Sequence, residues 1–154
     1  MKKILMVVVA MVMAVSANAQ NPDKGLSWAI ELGAGTELGI GGRAQYNFNQ
    51  YVAIELPVKY AFDYRDANPN NEITAQVGVR AFSPKFHKDM KAFAAFDMGY
   101  GVAFEDGWHW NAAAVDFTLG CYLVKGWYVG YGFGGMFHNG HIPHDHVVRV
   151  GYNF

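Results

Sequence analysis

Four histidines close together, His138, His141, His144 and His146, with Asp145 among them, are the residues of this chain whose types and spacing best suit metal chemistry. Imidazoles separated by two intervening residues, and then by one, can converge on zinc, copper or nickel. Trp108-His109-Trp110 is a second polar and aromatic cluster that another loop could bring alongside. Against this stands the ordinary role of histidine as a neutral surface residue in a polar, aromatic-rich loop tip. A loop fixes no ligand geometry by itself, and no supporting partners can be named from spacing. These four histidines are therefore weak metal candidates only, and no metal or other cofactor is assigned.

Nucleophilic catalysis is even less well supplied. Acyl transfer needs a serine oriented by a histidine and a carboxylate. After residue 19 the chain has only Ser27 and Ser83, at strand ends away from His138 and Asp145. No catalytic residue is assigned, and the chain is not read as an enzyme. Isolated charges are the remaining group. Glu31, Glu55, Asp97 and Asp116 are balanced by Arg43, Lys59, Arg80 and Arg149, with Glu72 as an extra acid near a strand end.

The elements that carry these charges alternate with period two. The pattern predicts strands over Ser27 to Gly35, Ile40 to Phe48, Val52 to Phe62, Glu72 to Ala81, Ala94 to Phe104, Ala113 to Leu123, Trp127 to Phe137 and His146 to Phe154. The third is the cleanest, with Val52, Ile54, Leu56, Val58, Tyr60 and Phe62 alternating with Ala53, Glu55, Pro57, Lys59 and Ala61. Helical spacing does not compete, because glycine is frequent and β-branched and aromatic residues fill the periodic positions. Pro57 removes a ladder donor and suggests a local bulge. Segments of about ten residues are what a tilted membrane-crossing strand requires.

Three connections are read as the turns of one end: Asn49-Gln50, Ser83 to Met90 and Val124 to Gly126. Thr36 to Gly39, Asp63 to Asn71, Glu105 to Asn111 and Asn139 to Asp145 are read as loops at the other. Ser83 to Met90 is long for a periplasmic turn, and Thr36 to Gly39 is short for an external loop.

Ahead of the strands, Lys2 and Lys3 precede an apolar run from Ile4 to Val15 and an Ala17-x-Ala19 sequence. This is the pattern of a secretory signal peptide over residues 1–19, leaving a single domain over 20–154. The apolar run is shorter than the roughly 20 residues of a spanning helix. Loss of Lys2 and Lys3 would take the formal net charge from −1 to −3. No basic cluster points to a nucleic-acid partner. Cys121 is the single cysteine, which excludes an internal disulfide.

Alternation alone does not say which face is inside, since a secreted lipocalin-like barrel or a β-sandwich also alternates. The contents of the faces discriminate. The apolar face holds most of the Trp, Tyr, Phe, Ile, Leu and Val, too much bulk for the interior of an eight-stranded barrel. The other face is rich in Gly, Ala, Ser and Thr, with few of the lysines of a soluble surface. A charge network balanced four against four is expected there, because buried charges need partners. Trp28, Tyr46, Phe48, Tyr51, Trp127, Tyr152 and Phe154 fall at the turn end, and Tyr60, Phe62, Tyr100, Phe104 and Phe137 near the loop end. Two such belts are interfacial girdles.

The final stretch, His146 to Phe154, puts Val148, Val150, Tyr152 and Phe154 on one face and finishes on an aromatic. Following an export signal, it resembles the closing strand of bacterial outer-membrane barrels. The chain from residue 26 to 154 is similar to the small eight-stranded OmpA/OmpX-type family. The resemblance implies an all-β, eight-stranded, antiparallel, up-and-down transmembrane barrel in the outer membrane of a Gram-negative bacterium. It implies outer-membrane lipid and the barrel-assembly machinery as partners, the latter reading Tyr152 and Phe154; no cofactor is expected, and the oligomeric state is left open with a monomer as the default. A structural or surface-interaction role through the loops is the leading function. A narrow pore, allowed by Gly99, Gly101, Gly130, Gly132 and Gly134, a soluble barrel with an apolar ligand cavity and a lipid A-modifying enzyme are the alternatives.

Overall fold

A computed structural model describes residues 24–62, 71–105, 108–137 and 145–154. The expected signal segment and the histidines His138, His141 and His144 lie outside the described residues. Eight strands form a closed barrel in which each pairs with its chain neighbours: β1 (Gly25–Gly35), β2 (Leu38–Asn47), β3 (Val52–Phe62), β4 (Asn71–Phe82), β5 (Lys91–Glu105), β6 (Trp108–Tyr122), β7 (Trp127–Met136) and β8 (Asp145–Asn153). All pairings are antiparallel, and β1 closes the ring against β8 from Ala29↔Asn153 to Gly35↔Val147. Trp28 and Phe154 extend this seam through reciprocal backbone bonds of 3.4 and 2.6 Å.

Side-chain burial follows the alternation but is inverted relative to a soluble protein. Leu56 is 56% exposed while its neighbour Glu55 is 1% exposed. The same holds around the barrel: Ile30, Val58, Val77, Met98, Leu119 and Val150 face outward, whereas Glu31, Arg43, Arg80, Asp97, Asp116 and Arg149 face the lumen. With no water in hydrocarbon to bond a free strand edge, closure is what makes such a surface tolerable in a bilayer.

Two expectations need correction. The predicted loop from Glu105 to Asn111 is largely strand, because β5 and β6 pair as far as Glu105↔Trp108. The hairpin continues because Trp110 and Ala112 keep the inward alternation and pack against Ala103, Ala114 and Met136. Pro57 produces no bulge. The β3–β4 ladder is interrupted at Leu56 and Pro57 but resumes at Val58↔Ala75 in the register set by Glu55↔Gly78. An extra residue would have turned every later side chain to the wrong face, and the cost of that exceeds one missing donor.

The turns differ in construction. Asn49 Oδ1 accepts from the N–H groups of Tyr51 and Val52, at 2.8 and 3.0 Å, and closes the β2–β3 turn. The long β4–β5 turn is ordered by Ser83, whose N–H donates to the Ala92 carbonyl and whose Oγ accepts from Ala92 N–H, both at 2.9 Å. A bridge between His87 and Met90 tightens its tip. Its length thus reflects a small hairpin of its own.

Candidate functional site

The lumen is where this fold gathers polar chemistry, and it divides into two ion clusters. Register places Glu55 of β3 beside Arg80 of β4, one rung apart across the ladder. Arg80 donates to both Glu55 oxygens, from Nε at 2.6 Å and Nη2 at 3.2 Å, a bidentate fork. Arg43 of β2 lies 3.4 Å from Glu55 and 3.7 Å from Glu31 of β1. Arg43 Nη2 also donates to the Tyr122 hydroxyl at 3.2 Å, and the Tyr128 hydroxyl donates to Glu31 at 2.7 Å. The second cluster centres on Asp116 of β6, which takes Lys59 Nζ at 2.6 Å and Arg149 Nη2 at 2.5 Å on separate oxygens. Arg149 Nη1 reaches Thr118 Oγ1 at 3.0 Å.

Asp97 stands apart. It has no ion pair among the described residues, and its Oδ1 is buried without a hydrogen-bond partner. Gly78 makes room for it: a Cβ there would sit 1.9 Å from Asp97 Oδ1.

Lys91 is an inward charge that the sequence reading left out. It is buried at the turn end, with its ammonium 4.1 Å from the centre of the Phe82 ring and 5.7 Å from that of Tyr122. The four-against-four balance therefore omits a cation at the turn end, with Glu72 at the opposite mouth. Counting back in twos from Asp97 through Ala95 and Phe93 would have found it. The same count finds Phe93 itself. Together with Phe82, Tyr122 and Tyr128 it forms a buried aromatic layer across the turn half of the lumen. Arg80 stacks on Phe93 at 4.1 Å and Arg43 on Tyr128 at 4.9 Å.

This layer also decides what the lumen glycines do. The Phe93 ring lies within 2.5 Å of where a Cβ on Gly120 would be, Tyr128 within 2.2 Å of one on Gly151, and Arg149 within 2.9 Å of one on Gly132. Gly101 gives its space to Met136 and Thr74. At these four glycines the space of the missing side chain is taken by a neighbouring side chain. A cavity of about 50 Å³ opens in the loop half, lined by Glu31, Lys59, Glu72, Thr74, Asp116 and Arg149 among others. That volume suits a few waters. Its charged lining is the opposite of an apolar ligand site.

Of the four candidate histidines only His146 is among the described residues. His146 lies on the outer face, where its Nδ1 meets the Tyr131 hydroxyl and its ring packs 5.1 Å from Phe133. Asp145, next to it, lines the inner cavity, so the two cannot share a ligand. His109 is exposed opposite Phe104 on the β5–β6 hairpin. Among the described residues no three potential metal ligands converge. Ser27 is buried at the turn end, where Asn47 donates to it at 3.4 Å, and Ser83 serves its turn. Neither is near a described histidine at the loop end. Tyr152 stacks edge-on between Trp127 and Phe154, at 5.1 and 5.3 Å, on the outside of the seam.

No protein-family model and no curated protein sequence matches the chain. Among solved structures it is similar to the N-terminal β-barrel domain of Pseudomonas aeruginosa OprF, with a TM-score of 0.59 and 13% identity over 88% of this chain and 100% of that one. It is similar also to Neisserial surface protein A, NspA, with a TM-score of 0.60 and 9% identity over 83% of this chain and 91% of that one. A third is Ail, the attachment invasion locus protein of Yersinia pestis, with a TM-score of 0.53 and 11% identity over 85% and 99%. The likeness is one of fold: the neighbours are outer-membrane β-barrels, and this chain folds as a closed eight-stranded antiparallel barrel of the same kind.

Proposed function

We propose that this protein is an integral outer-membrane barrel of a Gram-negative bacterium that acts as a structural or surface-contact element through its loops. The observation that carries this reading is the inverted burial: an apolar outer wall between two aromatic belts, around a lumen packed with paired charges and aromatic rings. A soluble barrel would carry its apolar side chains inside. The names of two neighbours, a surface protein and an attachment protein, are in keeping with a surface role. In this reading, Tyr152 and Phe154 present the seam to the barrel-assembly machinery.

The test is direct. The refolded chain should require detergent or lipid, insert into vesicles and migrate differently on gels before and after boiling. Stable, monodisperse behaviour in detergent-free buffer would overturn the membrane placement. The contact role is checked by host-surface or matrix adhesion of cells displaying the barrel, compared with cells displaying a version whose loops are replaced by short turns. Equal adhesion would remove it.

A further inference from the structure

The exposed charges of the barrel are sorted by end. Lys24, Lys85, Lys88 and Lys125 are all exposed and all lie at the turn end, before β1, in the β4–β5 turn and in the β6–β7 turn. The one described acidic side chain among these connections is Asp89, 3.8 Å from Lys85. The loop-side mouth differs: Glu37, Glu72 and Asp145 there are half-buried and share the cavity with Lys59.

Two of the lysines occupy backbone positions that an L side chain enters only at a cost. Lys88 has φ 48° and Lys125 φ 61°, in the left-handed region where glycine or asparagine is the easier choice. Two unrelated turns thus place the same cation at the same kind of position, which local conformation does not favour. Just inside them runs the aromatic belt of Tyr46, Phe48, Tyr51 and Trp127, which marks the boundary between acyl chains and headgroups. Lysines one turn beyond that boundary stand in the phosphate layer, and their flexible stems let the ammonium groups reach it. Phe86, 61% exposed between Lys85 and Lys88, adds an apolar anchor.

We propose that the turn end is a binding surface for the anionic phospholipid headgroups of its leaflet, with lysine ammonium groups on lipid phosphates. The inference rests on the transmembrane reading above. Net anionic lipid is required, since the choline of a zwitterionic headgroup cancels its phosphate. Binding of this kind weakens with salt.

The experiment uses the full barrel inserted into vesicles of phosphatidylcholine, with and without phosphatidylglycerol, then released in mild detergent for native mass spectrometry of retained lipid. Wild type should retain phosphatidylglycerol in preference. The Lys88→Asn/Lys125→Asn variant should lose about tenfold of that preference, given the usual worth of a surface lysine near anionic lipid. Its unfolding midpoint in urea should stay the same or rise, because asparagine relieves the backbone cost. Lys88→Arg/Lys125→Arg should keep the preference. Equal retention of the two lipids by wild type, an undiminished preference in the asparagine variant, or a lost preference in the arginine variant would each overturn the proposal. Lysine-dependent sedimentation with purified peptidoglycan, in the absence of any lipid preference, would replace the lipid by a polymer. A barrel that inserts into neither vesicle would overturn the transmembrane reading as well, whereas insertion without preference removes only this inference.

Discussion

Glu55 is wholly enclosed, and its shortest contacts are the two donors of the Arg80 guanidinium, with Arg43 as a second cation at 3.4 Å. Arg80→Ala should lower the urea midpoint followed by tryptophan fluorescence, by less than the roughly 3–5 kcal/mol of a fully orphaned buried charge, because Arg43 remains. Adding Glu55→Gln should recover part of the loss. Gly151→Ala makes a different demand, because its methyl would meet the Tyr128 ring at 2.2 Å. A loss of about 1–3 kcal/mol is expected. In a Tyr128→Ala background the same substitution should cost much less, which a double-mutant cycle measures. Parity made the inward charges legible in the sequence. Their partners were not, because pairing depends on the stagger between strands that are neighbours only after folding. Phe82, Lys91 and Phe93 were missed because the expected strands ended at Ala81 and began at Ala94, short of the true ends of β4 and β5, and Tyr122 because aromatic residues were read as lipid-facing.

At the scale of the strand, alternation is nearly the whole specification. Val77 and Gln76 are adjacent in β4, yet Val77 faces out and Gln76 is buried. Val77→Arg should destabilise the barrel by about 2–4 kcal/mol, the cost of a cation at the lipid midplane. Val148→Arg, on the loop-side half of β8, should cost less, and unfolding in lipid vesicles would rank the two. Strand positions were legible because one face must meet lipid. Strand ends were less so: Trp110 looks like a loop residue beside His109 and is instead an inward side chain of a continuing hairpin. Pro57 looked like a bulge for want of a rule that weighs one lost donor against a whole reversed face.

Phe82, Phe93, Tyr122 and Tyr128 pack across the turn half of the barrel, and a small cavity lined by charged side chains opens in the loop half. Planar-bilayer recordings should show no steady conductance steps for the wild type. Phe93→Ala/Tyr128→Ala, which removes two rings of the layer, should show them if its fold is kept. Of the glycines that suggested a passage in the sequence, Gly101, Gly130 and Gly132 are slots beside neighbouring side chains, a distinction that only three-dimensional register supplies. The seam carries a further consequence. Every other strand pair joins chain neighbours and can form as a local hairpin, but β1 meets β8 across almost the full described length of the chain. The entropy of bringing such distant segments together must be met before the final ladder returns anything. The molecule has no satisfactory half-built state in lipid, since an unclosed sheet leaves two edges unbonded. In the membrane placement proposed above, the β1–β8 ladder is therefore the last to close, and hairpins formed earlier keep unbonded edges until it does.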